Sequence, residues 1–147
     1  MMKTTCSKQN EAVLLLITLF LIHTWGFPGF SKLLAIQEGV PSWFIQMFTG
    51  TFLTNFPGLT VSYFCVVAGE VLACAFAVMS LIASEFWKGH TCFLRSAIVL
   101  SLFNFLMLGF GHGLAKNNEG MTQLFVYFVL TIVLLNYVTC VSSKDKV

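Results

Sequence analysis

The sequence predicts an all-α integral membrane protein, a four-transmembrane-helix bundle with an outer amphipathic or re-entrant segment. Of its 147 residues, 57% are hydrophobic and only 10% charged, and the mean hydropathy is +0.85. That is too little polar surface to cover a water-soluble globule. The chain also holds four long apolar runs, and crossing ~30 Å of hydrocarbon takes roughly 20 residues per helix. The last three runs follow one another through short polar connections. One membrane domain over residues 1–147 uses up this length, and no large soluble domain can be added.

The first run, residues 12–27 (AVLLLITLFLIHTWGF), follows a polar start with Lys3, Lys8 and Glu11. Signal peptides and first membrane spans share this pattern. The core lacks an Ala-x-Ala-like site, with Thr24-Trp25-Gly26 a poor substitute, so a retained span is expected.

Residues 28–58 hold all three prolines, Pro28, Pro41 and Pro57, together with Gly29, Gly39, Gly50 and Gly58. Repeated breaks in helix continuity are expected there. Trp43, Phe44, Ile45, Met47, Phe48, Phe52, Leu53 and Phe56 are too apolar for a solvated loop, and aromatic side chains favour the lipid headgroup boundary. Two arrangements fit equally: an interfacial or re-entrant helix, or an aromatic cap packed over the helix ends.

The remaining spans are expected at about residues 59–83, 91–115 and 121–141. Short connections make consecutive helices antiparallel neighbours. Lys3, Lys8, Lys88, Arg95, Lys144 and Lys146 then collect on one side, against Lys32 and Lys116 on the other. Because cytoplasmic flanks retain Lys and Arg, both termini are expected in the cytoplasm of a plasma (inner) membrane protein, with the aromatic segment outside.

Charge and cysteine content exclude several functions. Eight basic and six acidic residues give a net charge of +2 without a basic run, so nucleic-acid binding is not expected. The five cysteines show no CxxC spacing, and Cys65 and Cys74 point to opposite sides of one helix, which argues against a thiol relay. No HxxxH or Glu-x-x-His spacing is present, and no metal is expected.

Polar groups inside the spans carry the functional signal. Glu70 falls near the bilayer midplane, where an ionised carboxylate must be neutralised, paired or reached by water. It is either a structural tie between helices or a proton, ligand or quinone site. Ala73, Ala77 and Ser80 share its helical face, so a neighbouring helix can approach there. Asn104, at similar depth on the third span, is the expected hydrogen-bond partner of Glu70. His23, Lys32 and His112 are expected at a common depth near the outer surface, forming a polar pocket, although interfacial histidines are often merely solvated. Gly109, Gly111 and Gly113 around His112 admit close approach of a ligand or helix.

A Gly-Phe and Ser-Lys-Leu element after the first span (GFPGFSKLL), a Gly-Glu in the second (VVAGEVLACAFAVMSLI) and a Gly-His closing the third (LGFGHG) together resemble the DoxX-like membrane proteins over roughly residues 12–140. The resemblance implies a four-helix membrane fold, with Lys32 and Glu70 at the family's recurring lysine and glutamate, and His112 at an outer-end histidine. It also implies links to sulfur-compound or quinone-linked oxidation, or to membrane redox and detoxification complexes. The long aromatic segment departs from that pattern.

Three functions are thus expected to compete. The first is a small subunit of a quinone-linked or other membrane redox complex, with Glu70 and His112 handling protons; without CxxC or paired axial histidines it ligates no haem or cluster itself. The second is a noncatalytic assembly protein whose aromatic segment docks a membrane partner. The third, a solute or proton carrier, lacks an inverted repeat and broken helices. A membrane glutathione transferase would need several arginines at a helix interface, and Arg95 is the single arginine here.

Overall fold

The computed structural model describes residues 2–55, 58–88 and 90–144. Of the residues named above, Phe56, Pro57 and Lys146 lie outside the described residues, as do the side chains of Lys3, Cys6, Lys88 and Lys144. Among the described residues, six helices follow in chain order: α1 (Met2–Leu34), α2 (Ser42–Met47), α3 (Gly58–Ile82), α4 (Glu85–Lys88), α5 (Cys92–Leu114) and α6 (Asn118–Lys144). Short 3₁₀ turns at Ala35–Glu38 and Phe52–Asn55 flank α2.

Four helices, α1, α3, α5 and α6, are long and apolar enough to cross a membrane. The fold is the all-α four-helix membrane bundle that the apolar runs predict, and the protein is a multi-pass membrane protein surrounded by lipid. The helices pack as a chain of neighbours, α1 on α3, α3 on α5 and α5 on α6. Tyr137 Oη of α6 donates to Asn10 Oδ1 of α1 at 3.2 Å, so the two chain termini share one end of the bundle.

Helix α1 departs from the sequence expectation. It runs 33 residues, straight through Pro28. A proline removes one helical hydrogen bond, here the one to the carbonyl of Thr24 four residues back, and crowds the preceding turn, but membrane helices tolerate this where a neighbouring helix packs against them. Ser31 Oγ bonds back to the carbonyls of Phe27 at 2.8 Å and Pro28 at 3.2 Å just beyond the proline.

Leu14, Leu21, Trp25, Leu94, Ile98 and Val138 build the apolar core. The predicted inward face of α3 is buried as expected: Ala73 and Ala77 are fully buried and Ser80 is 1% exposed. Trp25 crosses this core, its Nε1 donating to Ser101 Oγ at 2.6 Å and its ring 4.8 Å from that of Phe105. A buried indole N–H needs such an acceptor.

The connection between α3 and α5 is more than a polar linker. Ser84 turns the chain with a φ of 53°, the left-handed region. Glu85, 4% exposed, then accepts hydrogen bonds from the backbone N–H groups of Phe93 at 2.8 Å and Leu94 at 2.9 Å. A carboxylate there satisfies two of the orphan donors at the start of α5 and opposes the positive end of its dipole.

Between α1 and α3, the aromatic segment folds back over the bundle. Phe48 is 4% exposed, and Phe44 packs edge-on against Tyr63 of α3 with ring centroids 5.1 Å apart. Of the two arrangements open from the sequence, this is the cap over the helix ends, with α2 as its short helical part. We refer to this as the capped end.

Candidate functional site

The site begins with two glycines on α1. A Cβ at Gly26 would stand 3.2 Å from Cys74 Sγ, and one at Gly29 would stand 3.2 Å from Glu70 Cβ. Small residues let two membrane helices approach closely. Lys32, one turn beyond Gly29, shares this face and reaches α3.

Its ammonium lies 2.6 Å from Glu70 Oε1, with Glu70 2% and Lys32 24% exposed at the side chain. The partner of Glu70 is therefore Lys32, not Asn104 as the depth argument predicts. The continuation of α1 past Pro28 brings Lys32 down onto α3, instead of ending the helix before it. Among the described residues, Glu70 Oε2 has no hydrogen-bond partner.

Asn104 is fully buried on α5 and lies against Gly69, whose missing Cβ its Oδ1 overlaps. Neither of its amide atoms has a hydrogen-bond partner among the described residues. Asn104 thus lies against the residue that precedes Glu70 without bonding to Glu70 itself. His23 is exposed on α1. Nine residues separate it from Lys32, about 13 Å of helix at 1.5 Å per residue, so the expected common depth is corrected: His23 stands away from the other two.

Lys32 and His112 do come together, lining a cavity of about 230 Å³ at the capped end. Phe44, Phe48, Tyr63 and Phe110 supply its aromatic walls. Gly111 makes room for this cap, since a Cβ there would meet Phe48 Cζ at 3.3 Å, whereas Gly109 faces open space. The other side of the His112 ring rests on Gly120 at the start of α6, in contact through Nδ1, which is buried without a partner.

Tyr63, Gly69 and Phe48 belong to this site and were not singled out by the sequence as functional. Tyr63 is 2% exposed and lies seven residues before Glu70, two helical turns along the same face, a spacing from which it could have been found. Gly69 carries no such signal, because its role depends on the rotation of α5.

Chemically, the cavity offers largely apolar, aromatic walls with a few side chains able to donate hydrogen bonds, Lys32 and His112 together with Trp43, Ser62 and Tyr63. Cavities with few convergent polar groups in apolar walls are the usual form of small-molecule sites. At 230 Å³ it is smaller than the about 300–1,000 Å³ of drug-sized pockets, which fits a ring-sized head. No known protein family, curated protein or solved structure matches the chain. Among the described residues, no group of three or more His, Cys, Asp and Glu side chains is placed to hold a metal ion.

Proposed function

We propose that the chain is a DoxX-like membrane protein that binds a quinone-type ligand at its capped end and serves as a small subunit of a membrane redox complex. The observation that carries this reading is the aromatic cavity that Lys32 and His112 both line, Lys32 being tied to the buried Glu70. A quinone ring fits apolar walls and needs donors for its carbonyl oxygens. The redox partner supplies the electron-transfer cofactors. In the plasma (inner) membrane, the end shared by the termini, with Lys8 and Arg95, faces the cytoplasm, and the capped end faces outward.

A specific observation favours a second, noncatalytic reading. Trp43 is 54% and Phe52 63% exposed on the cap, and exposed aromatics are common anchors of interfaces. In that case the cap docks a membrane partner and the Lys32–Glu70 pair is structural.

The two readings separate in one experiment on purified protein in mild detergent, comparing wild type with Glu70→Gln for folded yield and for binding of a quinone analogue. Intact yield with weakened binding supports the ligand site. No binding to wild type, or lost yield with no ligand effect, removes it in favour of the docking reading. A reporter fused to each terminus that fluoresces only in the cytoplasm tests the orientation.

A further inference from the structure

The charge pattern of the cavity narrows its ligand, granted the quinone reading above. Lys32 and His112 line it, and among the described residues no Asp or Glu does. The carboxylate that balances Lys32 is behind it: Glu70 is 2% exposed and takes the ammonium at 2.6 Å through Oε1. The pair is therefore oriented, with its cationic end toward the cavity and its anionic end toward the α1–α3 seam. An ammonium carries three donors, and the structure gives one of them to Glu70. The other two are free to meet a ligand at the cavity wall.

Aromatic walls and a low dielectric strengthen this asymmetry, since a charge in an apolar site acts with less screening than in water. A hydrogen bond from an ammonium to an ionised oxygen is also shorter and stronger than one to a neutral carbonyl. From these observations we propose that the cavity selects an aromatic ring with an ionised oxygen substituent, an enolate or phenolate of the hydroxyquinone class, over the neutral quinone of the same shape. The ionised oxygen accepts from Lys32, the ring packs among Phe44, Phe48 and Tyr63, and His112 meets a polar group across the ring. Lys32 keeps its bond to Glu70 and serves two acceptors, so the ligand adds to the pair instead of breaking it.

The test uses two ligands of matched volume. In 2-hydroxy-3-methyl-1,4-naphthoquinone the hydroxyl is ionised at neutral pH; 2,3-dimethyl-1,4-naphthoquinone replaces it with a methyl group. Both block the ring carbons that thiols attack. Calorimetric titration of the full-length protein in detergent gives the ratio of their affinities. Wild type should favour the hydroxyl compound by roughly tenfold, the scale of one charge-assisted hydrogen bond. Lys32→Arg, which keeps the charge, should retain most of that preference. In Lys32→Met/Glu70→Met, which removes both charges together, the ratio should fall close to one. Equal affinities in wild type overturn the selectivity and leave the quinone reading standing. A preference that survives in the double variant overturns the role of Lys32. Binding of neither ligand overturns the quinone reading and this inference with it. If the double variant does not fold, the wild-type ratio and its retention in Lys32→Arg decide.

Discussion

Lys32 of α1 and Glu70 of α3 form an ion pair at 2.6 Å inside the span region, with the carboxylate almost wholly enclosed and the ammonium at the edge of a cavity. Two adjacent features make it possible: Gly29 lets the helices touch at Glu70, and α1 remains helical through Pro28 to carry Lys32 over.

Removing one partner should harm the protein more than removing both. A lone buried charge typically destabilises by about 3–5 kcal/mol, whereas apolar replacement of a whole pair is often neutral. Lys32→Met should therefore lower the thermal midpoint in detergent strongly, and Lys32→Met/Glu70→Met should recover most of the loss. A double variant as unstable as the single one would contradict this account.

The glycines separate by what faces them. Gly29→Val places a branched side chain against the Glu70 Cβ and the backbone N of Val71, 3.2 and 3.4 Å from where a Cβ would stand. It should force α1 away from α3 and weaken the ion pair. Gly109→Ala meets nothing within 4 Å and should stabilise α5 by up to about 1 kcal/mol, the helix-propensity gain over glycine. Thermal unfolding of the two variants should move in opposite directions.

Asn104 and Gly69 are coupled by shape. Gly69→Ala drives a methyl into the Asn104 amide and should destabilise the α3–α5 contact. In Gly69→Ala/Asn104→Ala the space reopens, and the buried amide, which has no partner among the described residues, is gone. A double-mutant cycle should show a coupling of about 0.5–3 kcal/mol, the range for residues in direct contact. Additive effects would mean that the two residues do not share this space.

The four spans, the inward face through Glu70, Ala73, Ala77 and Ser80, and the division of the chain into helices were legible in the sequence because hydropathy and helical spacing report burial directly. The length of α1 was not. A proline reads as a helix break in water, but α1 stays helical through Pro28, packed there against α3 at Gly26 and Gly29. That one error ended the first span before Lys32, gave Glu70 the wrong partner in Asn104, and placed His23 level with Lys32. Depth alone could not pair Glu70, since pairing also depends on how each helix is rotated. The role of Gly69 beside Asn104 was hidden for the same reason. Glu85 was hidden by distance along the chain: it caps α5 from eight and nine residues before the groups it accepts from, whereas a usual N-cap acts within the first turn.

Glu85 supplies the last prediction. Its two carboxylate oxygens hold the N–H groups of Phe93 and Leu94, and they do so at the start of a 23-residue helix that presents no other side-chain cap at Thr91. Glu85→Ala leaves both donors buried and unpaired and removes the negative charge from the helix N-terminus. Losing a cap costs about 0.5–2 kcal/mol, and the dipole adds roughly 0.3–1 kcal/mol, so the thermal midpoint should fall clearly. Glu85→Gln retains one acceptor oxygen but neither the charge nor the second acceptor, and should fall between wild type and Glu85→Ala. Because Glu85 sits at the end of the bundle opposite Lys32 and His112, quinone-analogue affinity per folded molecule should be unchanged in both variants. A loss of affinity without a loss of stability would show that the start of α5 is coupled to the capped end, which the placement of Glu85 does not provide for.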